Sequence, residues 1–193
     1  MSRKVRQVPV TLNSKGITHL PADDLQAILR AADHLIMSGG RTLLSRILKG
    51  SHERKILDLN LDTCPAFGYF KHLDYTEILA RIDWVIQNGY VTIEYSGRLP
   101  LLVYTPAGWE IEKEIYSKEL LKTLKEMSIR KCTSEDCLFL KGKNRSLILL
   151  LLEKLKESMD PSYIHVLRRW EQIEYKKVRQ QIQLVIRALE QTR

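Results

Sequence analysis

Three cysteines and five histidines are the residues of this chain that could bind a metal ion or act as a nucleophile and its base. Cys132 and Cys137 are separated by four residues, a gap that zinc sites tolerate. No second close pair of cysteines or histidines completes a tetrahedral set. An odd cysteine count in a chain of this size also differs from a secreted disulfide scaffold. We therefore expect no metal site and a reducing compartment.

Enzymatic chemistry has no signature in the sequence. The histidines form neither a His-x-Glu nor a His-Glu-x-x-His pattern, and no nucleophile has a base at a meaningful spacing. Cys64 precedes Pro65 in a segment that reads as a loop, and a small buried apolar residue is its simplest interpretation. The sequence favours a protein that is not an enzyme and has no cofactor. The histidines are His19, His34, His52, His72 and His165.

The net charge of +8 over 193 residues indicates a polyanionic partner such as nucleic acid. Residues 1–21 contribute four basic and no acidic residues, whereas residues 22–116 carry ten basic and thirteen acidic residues. Residues 117–193 carry seventeen basic and ten acidic residues. The excess charge therefore lies on the two flanks, which we expect to supply most of the attraction. In the middle part, the basic residues gather between Arg46 and Lys55 and at Lys71.

Membrane insertion and secretion are not indicated. The longest apolar run, Leu147 to Leu152, is much shorter than the roughly 18 residues of a membrane span. No N-terminal segment combines a basic start, an apolar stretch and a cleavage site. We expect a cytoplasmic protein without a membrane partner, associated with the nucleoid if its source is bacterial.

The first half of the chain reads as a basic arm, several helices and a hairpin. Residues 1–21 are an extended arm or edge hairpin with a turn at Asn13 to Gly16. Helical spacing of apolar residues and turn signals then predict four helices. A change to alternating β-branched and aromatic residues predicts a hairpin whose turn is Ser96-Gly97-Arg98. The helices are expected at about 22–36, 41–48 and 51–57, and a fourth begins at Asp74 or Thr76 and ends at about 87. Ser51 is the expected cap of the third helix, and the strands are expected at about 90–95 and 101–104.

The second half reads as a separate helical unit. Helices are expected at about 108–127 and 146–156, and one long helix from Asp160-Pro161 to about Gln191. The apolar stripes favour a bundle core over a dimerisation surface, and the oligomeric state stays open. Basic residues at 168–169 and 176–179 fit either a solvated face or an extension of a nucleic-acid surface.

The predicted fold class is mainly α with a small β-hairpin wing. Helices followed by a hairpin are the winged-helix arrangement, a relative of helix-turn-helix. The expected domains are a basic N-terminal arm at 1–21, a winged-helix domain at 22–116 and a C-terminal helical domain at 117–193.

Three stretches in order resemble the RQC domain, the winged helix that follows the helicase core in RecQ-family DNA helicases. Ile47-Leu48-Lys49-Gly50-Ser51 resembles the family's Leu-Arg-Gly-Ser segment, at which a recognition helix begins. Phe67-Gly68-Tyr69-Phe70-Lys71 is similar to its Phe/Tyr-Gly-x-x-Lys loop. Val85 to Tyr90 and Tyr104 to Gly108 resemble the segments that flank its hairpin. A Gly-Lys-Ser/Thr phosphate loop is absent, so the chain looks like the stand-alone proteins called RQC-minor, without a helicase core.

The resemblance implies binding of double-stranded or forked DNA, with phosphate contacts from the Gly-Ser segment and a hairpin that acts as a wedge. The family's strand-separating hairpins carry an aromatic residue at the tip, whereas this tip is Ser96-Gly97-Arg98-Leu99. We therefore expect binding without unwinding, through phosphates and shape more than base edges. The nucleic-acid-binding residues carried over from the family, position by position, are Lys49, Gly50, Ser51, Arg54, Lys55, Lys71, Tyr95, Arg98 and Leu99.

Two other functions stay open at this point. The protein could be an interaction adaptor whose partner is a protein, for example a helicase that acts in trans in DNA repair or recombination. It could also bind structured RNA in connection with translation, because the same charge distribution allows it. Winged helices bind DNA, RNA and proteins, so the fold class alone does not decide.

Overall fold

The computed structural model describes residues 6–191. The chain divides into two compact units, Met1–Glu112 and Lys113–Arg193, called unit 1 and unit 2 below. The predicted fold class is confirmed, because 62% of the described residues are helical and the sheet is a small two-stranded antiparallel hairpin. Residues 1–5 of the predicted arm and residues 192–193 lie outside the described residues. Within residues 6–191, no helix is both long enough and apolar enough to cross a membrane.

Unit 1 follows the predicted order of helices and hairpin. The third helix begins three residues later than expected, at Arg54, and Glu53 rather than Ser51 precedes it. The fourth helix begins as predicted after Asp74, whose amide donates to the Glu77 carboxylate at 3.0 Å. The helices are α1 (Ala22–Ala32), α2 (Arg41–Lys49), α3 (Arg54–Asp58) and α4 (Tyr75–Gln87), and the strands are β1 (Val91–Ser96) and β2 (Leu99–Tyr104).

The hairpin is the wing of unit 1. β1 pairs with β2 in a register that places Val91 opposite Tyr104 and Ser96 opposite Leu99. The other edge of β2 is also bonded, because Met37 N donates to Leu102 O and Leu102 N donates to Gly39 O, both at 2.9 Å. The segment between α1 and α2 therefore lies beside β2, although it is not itself a strand.

The core of unit 1 lies between the helices and the base of the wing. Apolar residues of α1, α2 and α4 meet there, as their helical spacing predicts. Leu102 of the wing and Phe70 of the loop before α4 close this core from two sides. Fully buried members include Ile28, Leu29, Leu44, Ile47, Leu48, Ile56, Ile78 and Leu102.

Unit 2 is helical, and its last segment differs from the prediction. The single long helix expected from Asp160 to Gln191 is wrong, because the chain leaves helical geometry at Glu174. The Glu174 carboxylate accepts from the Trp170 indole and from the Tyr175 amide, and these bonds stabilise an extended residue between two helices. Helix α5 (Pro106–Ile129) contains the boundary between the units, and α6 (Arg145–Glu157), α7 (Ile164–Ile173) and α8 (Lys176–Glu190) follow.

Candidate nucleic-acid interface

The Lys-Gly-Ser segment ends helix α2. Gly50 has φ +77°, and its amide donates to Ile47 O while the Ser51 amide donates to Arg46 O, both at 2.9 Å. These two bonds are a Schellman motif, which satisfies the last carbonyls of a helix and requires the left-handed conformation that glycine adopts without strain. The resemblance places the start of a recognition helix here, whereas residues 50–53 are not helical and α3 has only five residues.

The Phe-Gly-Tyr-Phe-Lys loop packs on this helix end, backbone against backbone. The amides of Gly68 and Phe70 donate to Ile47 O and Leu48 O, at 2.9 and 2.8 Å. A Cβ atom on Gly50 would lie 3.0 Å from the Cα atom of Gly68. The two motifs are thus one structural element, and their glycines permit its close packing.

Lys49 has a structural role that sequence reasoning missed. Its ammonium group donates to Lys71 O at 2.8 Å and to Leu73 O at 2.7 Å. These carbonyls belong to the loop that precedes α4, so Lys49 holds this loop on the end of α2. Two of its three N–H donors are used in this way, and one is left for a ligand. No sequence pattern predicts this pairing, because the partners are backbone atoms.

The other cations carried over from the family are exposed. Lys55 and Lys71 are exposed, and the Arg54 side chain has 93% of its surface accessible. Arg54 forms an ion pair with Asp58 at 3.4 Å, and a pair this exposed contributes little stability. The Ser51 hydroxyl oxygen accepts from the Glu53 amide at 3.3 Å, which leaves its own O–H free to donate.

The wing tip presents a cation and an aliphatic side chain. Arg98 is exposed, and 61% of the Leu99 surface is accessible. Tyr95, which precedes the tip, is half-buried, and its hydroxyl donates to Val8 O at 2.9 Å. The Val8 amide in turn donates to Arg98 O at 3.1 Å. The N-terminal arm is therefore bonded to the wing beside its tip.

A second contact holds the arm on helix α4. Asp83 is only 3% exposed, and its carboxylate accepts from the Asn13 amide at 2.8 Å and from the Arg41 guanidinium. The predicted turn at Asn13 to Gly16 is confirmed, with Lys15 and Gly16 at positive φ. Between Val8 and Asn13 the arm forms neither a helix nor a strand.

A cleft of about 320 Å³ lies between the arm, the wing and the start of α2. Its walls include Val8 and Pro9 of the arm, Gly40 before α2, and Leu99 of the wing. Lys55 also lines it, so one predicted phosphate-binding cation and one predicted wing-tip residue share this cleft.

The segments that flank the wing are held together by Thr105. Its hydroxyl lies 2.6 Å from Gly89 O and 3.0 Å from Tyr90 O, and it accepts from the Gly108 amide at 3.2 Å. A Cβ atom on Gly108 would lie 1.9 Å from Tyr90 O, so only glycine fits there. The two segments that flank the hairpin, which form the third motif of the family resemblance, therefore stabilise the base of the wing and do not form a ligand site.

The end of the wing is also held on helix α1. The Tyr104 hydroxyl donates to Leu29 O at 2.6 Å. Burial, with a further contribution from the Glu112 carboxylate, raises the pKa of Tyr104 far above its ordinary value. This phenol therefore stays protonated and continues to donate at neutral pH.

The cysteines are small buried residues, as the sequence interpretation of Cys64 predicts. All three are buried and outside any disulfide, and Cys64 is 4% exposed. Burial raises the pKa of the Cys137 thiol to about 11, so it is unreactive near neutral pH. Among residues 6–191, no three His, Cys, Asp or Glu side chains cluster in a way that would hold a metal ion.

Helices that precede a two-stranded wing with an exposed tip define a winged-helix protein. The chain belongs to the RQC domain family, which matches residues 22–131 and confirms the resemblance found in the sequence. No curated protein and no solved structure matches it. The family indicates a winged-helix role in nucleic-acid binding, and the RQC domain is a DNA-binding rather than a catalytic domain.

Proposed function

We propose that this protein binds duplex DNA at ends or junctions, through phosphates and shape. The observation that carries the proposal is the position of Lys71, an exposed cation on a loop that Lys49, Gly68 and Phe70 fix to the end of α2. A cation on a fixed backbone can meet a phosphate with less loss of conformational entropy than one on a mobile loop.

The phosphate contacts come from residues around the end of α2. Lys71, Lys55 and Arg54 supply exposed positive charge, whose pairing with phosphates releases counterions. The remaining donor of Lys49 and the hydroxyl of Ser51 add to them at close range. Arg46 already pairs with Glu53 at 2.8 Å, which neutralises the one acidic residue between Gly50 and Arg54.

Base reading in the major groove is not favoured. Helix α4 directly precedes the wing, but its start presents the acidic residues Asp74 and Glu77. Arg81 of the same helix lies 3.6 Å from Asp24 and stacks over Phe70. Negative charge at this position repels phosphates, so the contacts are expected at the end of α2 and at the wing.

The wing is proposed to rest on a DNA end without opening it. Stacking on a terminal base pair needs an aromatic face, whereas Arg98 and Leu99 are the exposed side chains at the tip. The hydroxyl of the nearest aromatic residue, Tyr95, is bonded to the arm. In this proposal the protein holds junction DNA for a helicase that acts in trans in repair or recombination.

Charge reversal at Lys55 and Lys71 together tests the proposal. The variant Lys55→Glu/Lys71→Glu should bind a blunt duplex more weakly, and the slope of its salt dependence should fall by about 0.9 for each phosphate that the protein no longer neutralises. Lys122→Glu, which reverses an exposed charge on α5, is the matched control. Unchanged affinity and unchanged salt slope would refute DNA binding at this site.

Competition among ligands tests the choice of DNA. Forked DNA, plain duplex and hairpin RNA should displace a labelled fork in that order of strength. Preference for the RNA hairpin would favour the translation-linked alternative. Salt-insensitive binding to a protein, with no complex on any nucleic acid, would favour the adaptor.

A fork labelled with a fluorophore and a quencher on opposite strands tests the wing. Binding should leave the quenching unchanged, since no aromatic residue at the tip can separate the terminal pair. A rise in fluorescence without a helicase would show that the wing opens DNA.

A further inference from the structure

The turn between α7 and α8 in unit 2 is fixed on the core of that unit. Trp170 is completely buried, and its indole N–H donates to the Glu174 carboxylate at 2.9 Å. The same carboxylate accepts from the Tyr175 amide at 3.3 Å, and Glu174 O accepts from the Arg179 guanidinium at 3.0 Å. Glu174 is itself only 6% exposed. These bonds hold the backbone of the turn in one conformation.

The residue that this turn presents to solvent is Tyr175. It is 69% exposed, more than the other exposed aromatic residues between 6 and 191, which are Tyr69, Tyr75 and Phe139. Its hydroxyl group forms no hydrogen bond with that part of the chain. An aromatic ring on a rigid turn loses little entropy when a flat ligand stacks on it.

Three lysines lie close to Tyr175, one across the fold and two next to it in the chain. The Lys141 ammonium lies 5.8 Å from the Tyr175 ring centroid, within the range of a cation–π contact. Lys176 and Lys177 directly follow Tyr175, and all three lysines are exposed. None of them forms an ion pair with any residue between 6 and 191.

Helix stability does not explain the two lysines after Tyr175. Positive charge is unfavourable in the first turn of a helix, where acidic residues are favoured, and the first turn of α8 has no acidic residue. The carboxylate nearest to them in sequence, that of Glu174, is buried and used within the turn. The surface therefore combines an unshielded positive charge with an exposed aromatic face.

We propose that this Tyr175 surface, formed by Tyr175, Lys141, Lys176 and Lys177, binds single-stranded DNA. A base stacks on the Tyr175 ring and the lysines pair with the phosphates on either side, since stacking platforms within positive surfaces are how proteins bind single strands without sequence preference. An acidic protein would satisfy the lysines but leaves the ring without a stacking partner. The choice of DNA over RNA rests on the proposed function of unit 1.

Binding of the full chain to a labelled oligothymidylate of about twenty nucleotides, longer than the usual site sizes, tests the inference. Tyr175→Ala should weaken this complex by about 5- to 150-fold, the range expected for loss of one stacked base. Tyr175→Phe keeps the ring and should bind like the wild type. Lys176→Glu/Lys177→Glu should weaken binding and reduce its salt dependence. Leu184→Ala, which removes another exposed side chain of α8, is the matched control.

The two proposals fail in different ways. Tyr175→Ala should leave blunt-duplex binding unchanged, and Lys55→Glu/Lys71→Glu should leave oligothymidylate binding unchanged. Wild-type affinity of Tyr175→Ala for oligothymidylate would overturn the Tyr175 surface, whether or not duplex binding holds. An equal loss on both ligands would overturn the assignment to single strands. Tighter binding of oligouridylate than of oligothymidylate would overturn the assignment to DNA.

Discussion

The ammonium group of Lys49 donates a hydrogen bond to the main-chain oxygen of Lys71, 2.8 Å away. One lysine thus fixes the backbone from which the other projects into solvent. The family resemblance gives both residues the same role, but the structure separates them. Lys49 stabilises the loop that precedes α4, and the Lys71 side chain is exposed.

Replacement of Lys49 should therefore reduce stability more than replacement of Lys71. Lys49→Met leaves Lys71 O and Leu73 O without their donor, so we expect the free energy of unfolding to fall by about 1–2 kcal/mol. Lys71→Met removes an exposed side chain and should change it by less than about 0.5 kcal/mol. Urea denaturation measures both, and equal effects would contradict the structural role of Lys49.

The contact between Gly50 and Gly68 predicts a difference between two glycine substitutions. Gly50→Ala and Gly16→Ala both place a side chain at positive φ, which costs about 1–2 kcal/mol. At Gly16 nothing lies within 4 Å of the new Cβ atom, whereas at Gly50 the Cα atom of Gly68 lies at 3.0 Å. Gly50→Ala should be the more destabilising by about 1 kcal/mol or more in urea denaturation. Equal losses would show that the two loops separate easily.

Loss of the Tyr95 hydroxyl should loosen the arm from the wing. Tyr95→Phe removes the bond to Val8 O, worth about 0.5–1.5 kcal/mol. The Val8 amide, which donates to Arg98 O, should then exchange its hydrogen faster in NMR measurements. Tyr75→Phe is the control, because the Tyr75 hydroxyl forms no hydrogen bond within residues 6–191. An unchanged exchange rate at Val8 would mean that the arm is held by other contacts.

Unit 2 should lose stability in acid through Asp160. A hydrogen bond from the Lys125 ammonium and another from the Ser162 amide lower the pKa of Asp160 to about 2, from an ordinary value of 3.8. Since the folded pKa is the lower one, this contribution is complete above about pH 4 and is lost as the pH falls towards 2. Urea midpoints of the wild type should fall between pH 5 and pH 2.5 by more than those of Asp160→Asn.

Asp62→Asn removes an exposed carboxylate from unit 1 and serves as the control for Asp160→Asn. It should follow the wild type through this range of pH. A parallel decrease in the wild type and Asp160→Asn would show that Asp160 has the same affinity for protons in the folded and unfolded chain.

Much of the fold is readable from the sequence because its signals are local. The spacing of apolar residues predicts α4, and Asn88-Gly89 marks its end. The break between α7 and α8 has no such signal, since neither Gly nor Pro occurs there. It depends on the bond from the buried Trp170 indole to Glu174, which periodicity cannot show.

The sequence showed where the three motifs lie, but it did not show their contacts. The three motifs mark the end of α2, the loop that packs on it and the base of the wing. Their glycines serve close backbone packing at Gly50 and Gly108, which sequence reasoning could not distinguish from approach to a ligand. The bonds of Val8 to the wing were not predictable either, because they join residues that are far apart in the chain.

The hydrogen bond from the Asn13 amide to the Asp83 carboxylate determines where a winged-helix segment must begin if it is transferred to another protein. The family match begins at residue 22, but a segment cut there would leave the nearly buried Asp83 carboxylate without the Asn13 donor, at a cost of about 1–3 kcal/mol. The segment that folds stably therefore begins earlier in the chain than the segment that matches the family. A transplanted winged helix should retain the chain from Asn13 onward.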